Sequence, residues 1–144
     1  GIDLALSLSF FDDALRADFA FSWLSARNIS NFGSGDKSDG KQLVYTPRER
    51  LISSLSYSSD ILKVVVDHRF IGSSFFTSDN DPYFVIQNHS VFDLHFTTFF
   101  NLLNTRQALS ISFYNLFNEN YKIIQSYPMP LRSVVFSFTT KIQD

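Results

Sequence analysis

Apolar residues recur at every second position along most of this 144-residue chain. Ile2, Leu4, Leu6, Leu8 and Phe10 alternate with Asp3, Ala5, Ser7 and Ser9. Leu15, Ala17, Phe19, Phe21 and Trp23 alternate with Arg16, Asp18, Ala20 and Ser22. Side chains of a strand point to opposite faces in turn, whereas an amphipathic helix needs stripes at i, i+3 and i+4, which are hard to find here. Five further stripes follow: Leu51 to Tyr57, Leu62 to Phe70, Phe92 to Leu102, Leu109 to Phe113, and Val134 to Ile142. The chain therefore reads as all-β and antiparallel, with about seven strands. Most are longer than the usual five or six residues.

The connections narrow this further. Phe11-Asp12-Asp13, Ser58-Ser59-Asp60 and Leu103-Asn104-Thr105-Arg106 are short. Residues 26–47, 72–90 and 118–131 form long connections between the same strands. Short and long links alternate strictly, so an up-and-down sheet collects all turns at one end and all loops at the other. Outer-membrane barrels show this asymmetry, and a strand of about ten residues tilted by about 45° crosses their apolar band of about 25 Å. No run approaches the ~20 apolar residues of a membrane-crossing helix, but barrels cross with strands instead.

Composition removes several classes. There is no cysteine, hence no disulfide framework and no thiolate metal site. The net charge of −2 gives no electrostatic reason to expect nucleic-acid binding. Seventeen Phe argue against a disordered chain. No nucleophile elbow, zinc-protease motif or phosphate loop occurs, so no catalytic residue, metal ligand or cofactor is expected, and the chain does not read as an enzyme. Asp79, Asn80 and Asp81 lack the spacing of a calcium loop and read as a turn. His89 and His95 share a strand face, while His68 falls on an apolar stripe. Asn31 to Gly40 is a Gly/Ser/Asp segment expected to be a mobile loop. Phe75, Phe76 and Tyr83, with Phe84, cluster in the second long loop. They read as an interfacial girdle or as ligand contacts.

The charged residues oppose the apolar stripes. Arg50, Lys63, Asp67, Arg69 and Asp93 lie on this polar face, together with Asp3, Arg16, Asp18 and Lys141. They would meet bulk water in a soluble sheet and a wet lumen in a large barrel. Alternation alone allows both.

The C-terminal third carries a resemblance. Asn115-Leu116-Phe117-Asn118, Tyr121, then Tyr127-Pro128-Met129-Pro130-Leu131-Arg132 and an alternating last strand closely resemble the end of TonB-dependent outer-membrane receptors. In that family an "NLF-N/D-x-x-Y" segment closes the penultimate strand, and "YP-x-PGR" leads into the final one. Tyr45-Thr46-Pro47-Arg48 and Arg69-Phe70-Ile71-Gly72 look like earlier parts of the pattern. Leu131 stands where the family has Gly, so a different local turn is expected. The chain ends on Ile142-Gln143-Asp144 rather than on an aromatic residue.

The resemblance implies that residues 1–144 are the C-terminal portion of the barrel, the last seven of 22 strands, incomplete and without a plug domain. It implies a bacterial outer-membrane location and TonB-energised uptake of a scarce nutrient such as a siderophore–iron complex, cobalamin or a glycan. The implied partners are the rest of the barrel and its plug, the TonB complex through an N-terminal part, lipid and lipopolysaccharide, the small nutrient and a surface lipoprotein. No nucleic acid is among them. Two rival readings are a soluble lipocalin-like ligand-binding barrel and a porin-like channel.

Overall fold

The seven stripes form seven neighbouring strands of one antiparallel sheet. The computed structural model describes residues 1–29, 33, 35–102 and 105–141. The strands are β1 (Ile2–Phe10), β2 (Leu15–Trp23), β3 (Glu49–Ser58), β4 (Leu62–Ile71), β5 (Ser74–Phe75), β6 (Val85–Ile86), β7 (His89–Leu102), β8 (Thr105–Tyr114), β9 (Lys122–Ile124), β10 (Tyr127–Pro128) and β11 (Ser133–Lys141). The large sheet runs β1-β2-β3-β4-β7-β8-β11, so long strands adjacent in sequence are adjacent in space. Among the described residues there is no helix.

The pairing register keeps each stripe on one face. Phe10, Leu15, Tyr57, Val64, Phe96, Ile111 and Phe136 form one row across all seven strands. The adjacent row, on the opposite face, is Ser9, Arg16, Ser56, Val65, His95, Ser112 and Val135. A one-residue slip in any pair would interchange the faces of that strand. β1 and β11 each pair on one side only, so the sheet stays open. The small closed barrel of the lipocalin-like reading does not form among these strands.

Burial is inverted relative to a water-soluble sheet. The buried aliphatic side chains among the described residues are Ile86 and Val91, whereas Gln42, Ser74, His89, Asp93, Gln107 and Asn115 are all buried. Leu4 is 58% exposed and Phe136 70%. Removing such a side chain from water is worth roughly 1.5–3 kcal/mol. The apolar face realises little of that within this chain.

Three expectations need correction. Thr105 and Arg106 belong to β8 rather than to the turn before it, because Arg106 pairs with Asn101 and Thr105 with Leu102. His89 and Ser90 belong to β7, where Ile71 and Phe70 pair with them. The second and third long connections are not plain loops but carry the small hairpins β5–β6 and β9–β10. Leu131 is absent from the left-handed residues. Asn115, Asn118 and Ser126 take that conformation in the third loop, at φ 51, 60 and 69°. Leu103, Asn104 and residues 142–144 lie outside the described residues, as do Asn31, Phe32 and Ser34 of the Gly/Ser/Asp segment. The rest of that segment is held by turn hydrogen bonds, such as the Ser38 hydroxyl donating to Asp36 Oδ1 at 2.6 Å.

The β1–β2 turn is unusual. Phe11, Asp12 and Asp13 are all left-handed, with φ of 54, 52 and 65°, and the Ala14 amide donates to the Phe11 carbonyl at 3.0 Å. This backbone matches strand twist but costs roughly 1–2 kcal/mol per non-glycine residue. Replacing Asp13 by Gly should raise the unfolding temperature of the protein, and Asp13→Val should lower stability by about 1–2 kcal/mol. Loss of the folded band on heating in gel electrophoresis measures both.

Candidate functional site

The loop end of the polar face is where buried polar groups gather. Asp93, in β7, is 7% exposed and lies between two neighbouring strands. Arg69 Nη2 in β4 donates to its Oδ2 at 2.8 Å, and the Asn115 amide at the end of β8 donates to its Oδ1 at 2.8 Å. Asp67 stands directly opposite Asp93 in the β4–β7 register. Like charges so placed repel. Arg69 offsets one carboxylate, and His95 Nε2 lies 3.5 Å from Asp67 Oδ2. The other His95 nitrogen shares a hydrogen bond of 2.9 Å with the Ser112 hydroxyl.

Asn115 closes the third loop. Its Nδ2 donates to the carbonyls of Glu119 at 2.8 Å and Pro130 at 3.2 Å, and its Oδ1 accepts from the Glu119 amide at 2.7 Å. Leu116 donates its amide to the Phe92 carbonyl at 2.7 Å, and Phe117 meets the Phe92 ring edge-on at 5.3 Å. Asn118 Oδ1 accepts from the Arg132 amide at 3.0 Å. Tyr121 stacks on His89 with centroids 4.5 Å apart. Tyr127 and Pro128 form β10 against β9. The motif residues thus tie both ends of the loop to β7 and β8. The arrangement is a backbone clasp with no nucleophile or acid–base pair in it.

The polar-face charges are only partly brought together. Arg69, Asp93 and Asp67 meet as described, whereas Arg50 and Lys63 form no ion pair among the described residues. Arg50 shares its row with Asp3 and Ser22, and Lys63 shares its row with Thr97 and Ser110. The loop aromatics separate as well. Phe76 packs edge-on against Phe84 at 5.5 Å, Phe75 accepts the Tyr45 amide on its carbonyl at 2.8 Å, and Tyr83 is 91% exposed. Phe75 also lines a cleft of about 300 Å³ with Gln42, Arg48 and Glu49.

Sequence reasoning passed over the contact that joins the first two loops. Asn80, left-handed at φ 55°, accepts the Gln42 amide at 2.7 Å and donates to the Gln42 carbonyl at 2.9 Å. Asp79 and Asp81 accept the amides of Asp81 and Tyr83. The neighbouring Thr77 hydroxyl and the bond from the Asp81 amide hold the Asp79 carboxyl below the ordinary carboxylate range. Asn in a polar turn is a known left-handed residue. Nothing local, however, marks a partner 38 residues away. The three histidines occupy three separate places. His68 lies on the apolar face, where it stacks on Phe92 at 4.3 Å and bonds Ser90 Oγ at 2.8 Å.

The fold is an open seven-stranded antiparallel sheet with its long loops at one end. A solved structure shares it: the ferric preacinetobactin receptor BauA from Acinetobacter baumannii matches with a TM-score of 0.81 at 14% sequence identity. The match covers 94% of this chain and 21% of that one, so the chain spans about a fifth of the receptor's length. No protein-family model and no curated protein matches the sequence.

Asn115→Ala removes three hydrogen bonds from a buried residue and should cost about 2–4 kcal/mol. The expected readout is faster trypsin cleavage at Lys122 in the folded full-length protein, with cleavage in the first loop unchanged.

Proposed function

We propose that this chain is the C-terminal part of the barrel wall of a TonB-dependent outer-membrane receptor, and that the whole protein takes up a scarce nutrient. The observation that carries the reading is the uncovered apolar face of a sheet whose strands are 9–14 residues long. Lipid supplies the missing apolar surroundings there, and the polar face turns to the lumen and a plug. The free edges of β1 and β11 would be satisfied by the remaining strands of a 22-stranded barrel, since an unpaired backbone group in lipid costs several kcal/mol. Lipopolysaccharide would contact the outer part of the apolar face.

The likeness to a receptor for a ferric siderophore supports this reading, as do the motif residues Asn115 to Arg132. The long loops then face outward and offer the surface for a siderophore–iron complex, cobalamin or a glycan, and for a surface lipoprotein. The short turns face the periplasm. The TonB complex acts through residues outside this chain. Arg50, Lys63, Asp67, Arg69 and Asp93 face the plug.

In cells, the protein should co-fractionate with the outer membrane, and uptake of its nutrient should stop when either its gene or the TonB gene is deleted. Recovery of the protein folded in the aqueous phase, without detergent or partner chains, would overturn the reading. Within the barrel, Leu94→Arg on the lipid face should cost about 2–4 kcal/mol, whereas Ser110→Arg on the lumen face should cost far less. Urea titration of both variants in detergent gives the comparison.

A further inference from the structure

Three polar side chains interrupt the apolar face. His68 in β4 lies between Ser53 of β3, directly opposite it in the register, and Ser90 of β7. His68 Nε2 is 2.8 Å from Ser90 Oγ, and its Nδ1 is 3.3 Å from Ser53 Oγ. All three residues are half-buried. Their neighbours on this face are apolar: Leu51 and Phe70 toward the loop end, and Leu55, Val66 and Leu94 on the other side. An ionisable side chain among lipid is expensive, and such residues mark functional sites.

One tautomer serves both contacts of the imidazole. The Ser90 hydroxyl donates to Nε2, and Nδ1–H donates to the Ser53 hydroxyl. A hydroxyl, a base within hydrogen-bond reach and a third group that orients the base make an activated nucleophile. The Phe92 ring, stacked on the imidazole with centroids 4.3 Å apart, fixes the ring plane.

A backbone donor is also in place. The Leu116 amide donates to the Phe92 carbonyl, so the polar groups of Phe92 point away from β4, and His68 and Phe92 form a non-hydrogen-bonded pair. Ser90, two residues earlier in the same register, repeats that orientation, and its amide also points away from β4. β8 joins the β7 ladder only from Leu94, so among the described residues no ladder partner takes the Ser90 amide. In serine acyl transfer the nucleophile's own amide is one of the donors to the oxyanion.

We infer that Ser90, His68 and Ser53 form an acyl-transfer site that cleaves the esters of glycerophospholipids. The inference rests on the receptor reading in one respect: that lipid covers this face. Ser90 is the second residue of β7, and His68 lies near the loop end of β4, so the site sits just inside the end of the sheet. In a bilayer that level is the border between hydrocarbon and headgroups, where the ester carbonyls of phospholipids lie. Leu51, Phe70 and Val66 offer apolar surface to the acyl chain. In the first step Ser90 Oγ bonds to the ester carbonyl carbon while His68 Nε2 takes the hydroxyl proton. The bond from that carbon to the glycerol oxygen then breaks. The proton passes from Nε2 to the glycerol oxygen, which leaves a lysophospholipid and acyl-Ser90. Water completes the cycle: its oxygen bonds to the acyl carbon, one of its protons passes through Nε2 to Ser90 Oγ, and the fatty acid departs. Ser90 and His68 are the catalytic residues, and Ser53 is a positioning residue. No local motif marks the site, because the partners of His68 lie 15 and 22 residues away on other strands.

The test uses the full-length protein in mixed micelles of detergent and dioleoylphosphatidylcholine. A fluorophosphonate probe, which phosphonylates activated serine hydroxyls, is added, and peptide mass spectrometry locates the modified residue. Hydrolysis is followed as release of oleate and lysophosphatidylcholine. Label on Ser90 is expected, with oleate release that falls at least about a hundredfold in Ser90→Ala and in His68→Gln. Ser110→Ala, on the opposite face, should leave the rate unchanged. Ser53→Ala should lower kcat several-fold with KM unchanged, and Ser53→Thr should restore it, which a merely structural role for Ser53 would not produce. Heat-modified gel mobility reports folding of every variant. Folded protein that neither takes the label at Ser90 nor releases oleate overturns the inference and leaves the receptor reading standing. Oleate release by Ser90→Ala at the unsubstituted rate overturns it as well. Failure of the receptor reading shows separately, in the fractionation and uptake experiments.

Discussion

The structure depends on register. Seven strands pair so that every apolar stripe falls on one face, and this places Phe and Leu together on a surface the chain itself does not cover. Backbone ladders and cross-strand contacts supply the cohesion that a buried apolar core supplies elsewhere. The buried groups are mostly polar. Asp93 is bound to Arg69 and the Asn115 amide, and the Asn115 side chain to Glu119 and Pro130.

Two polar devices order the loop end. Asn80 reaches the Gln42 backbone and joins the first two loops, and Asn115 closes the third onto its own strand. Both residues are left-handed asparagines, so the conformation that ends the regular ladder also turns the side chain back to the backbone.

Much of this was legible beforehand. The stripes from Ile2 to Phe10 and from Leu15 to Trp23 coincide with β1 and β2, because a two-residue period is a property of the extended backbone itself. Arg50, Lys63, Asp67, Arg69 and Asp93 lie on one face for the same reason. Boundaries were less legible. Thr105 and Arg106 are polar, and only their pairing with Leu102 and Asn101 makes them strand. The β5–β6 and β9–β10 hairpins are two or three residues long and too short to carry a period.

The sequence by itself determined the strands, their faces and the separation of turns from loops. These follow from local periodicity and from the few residues between stripes. Tertiary structure decided which charges meet, that Asn80 finds Gln42, that Tyr121 settles on His89, and that the sheet stays open. Those outcomes depend on distances between residues far apart in sequence, fixed only once all seven strands are in register.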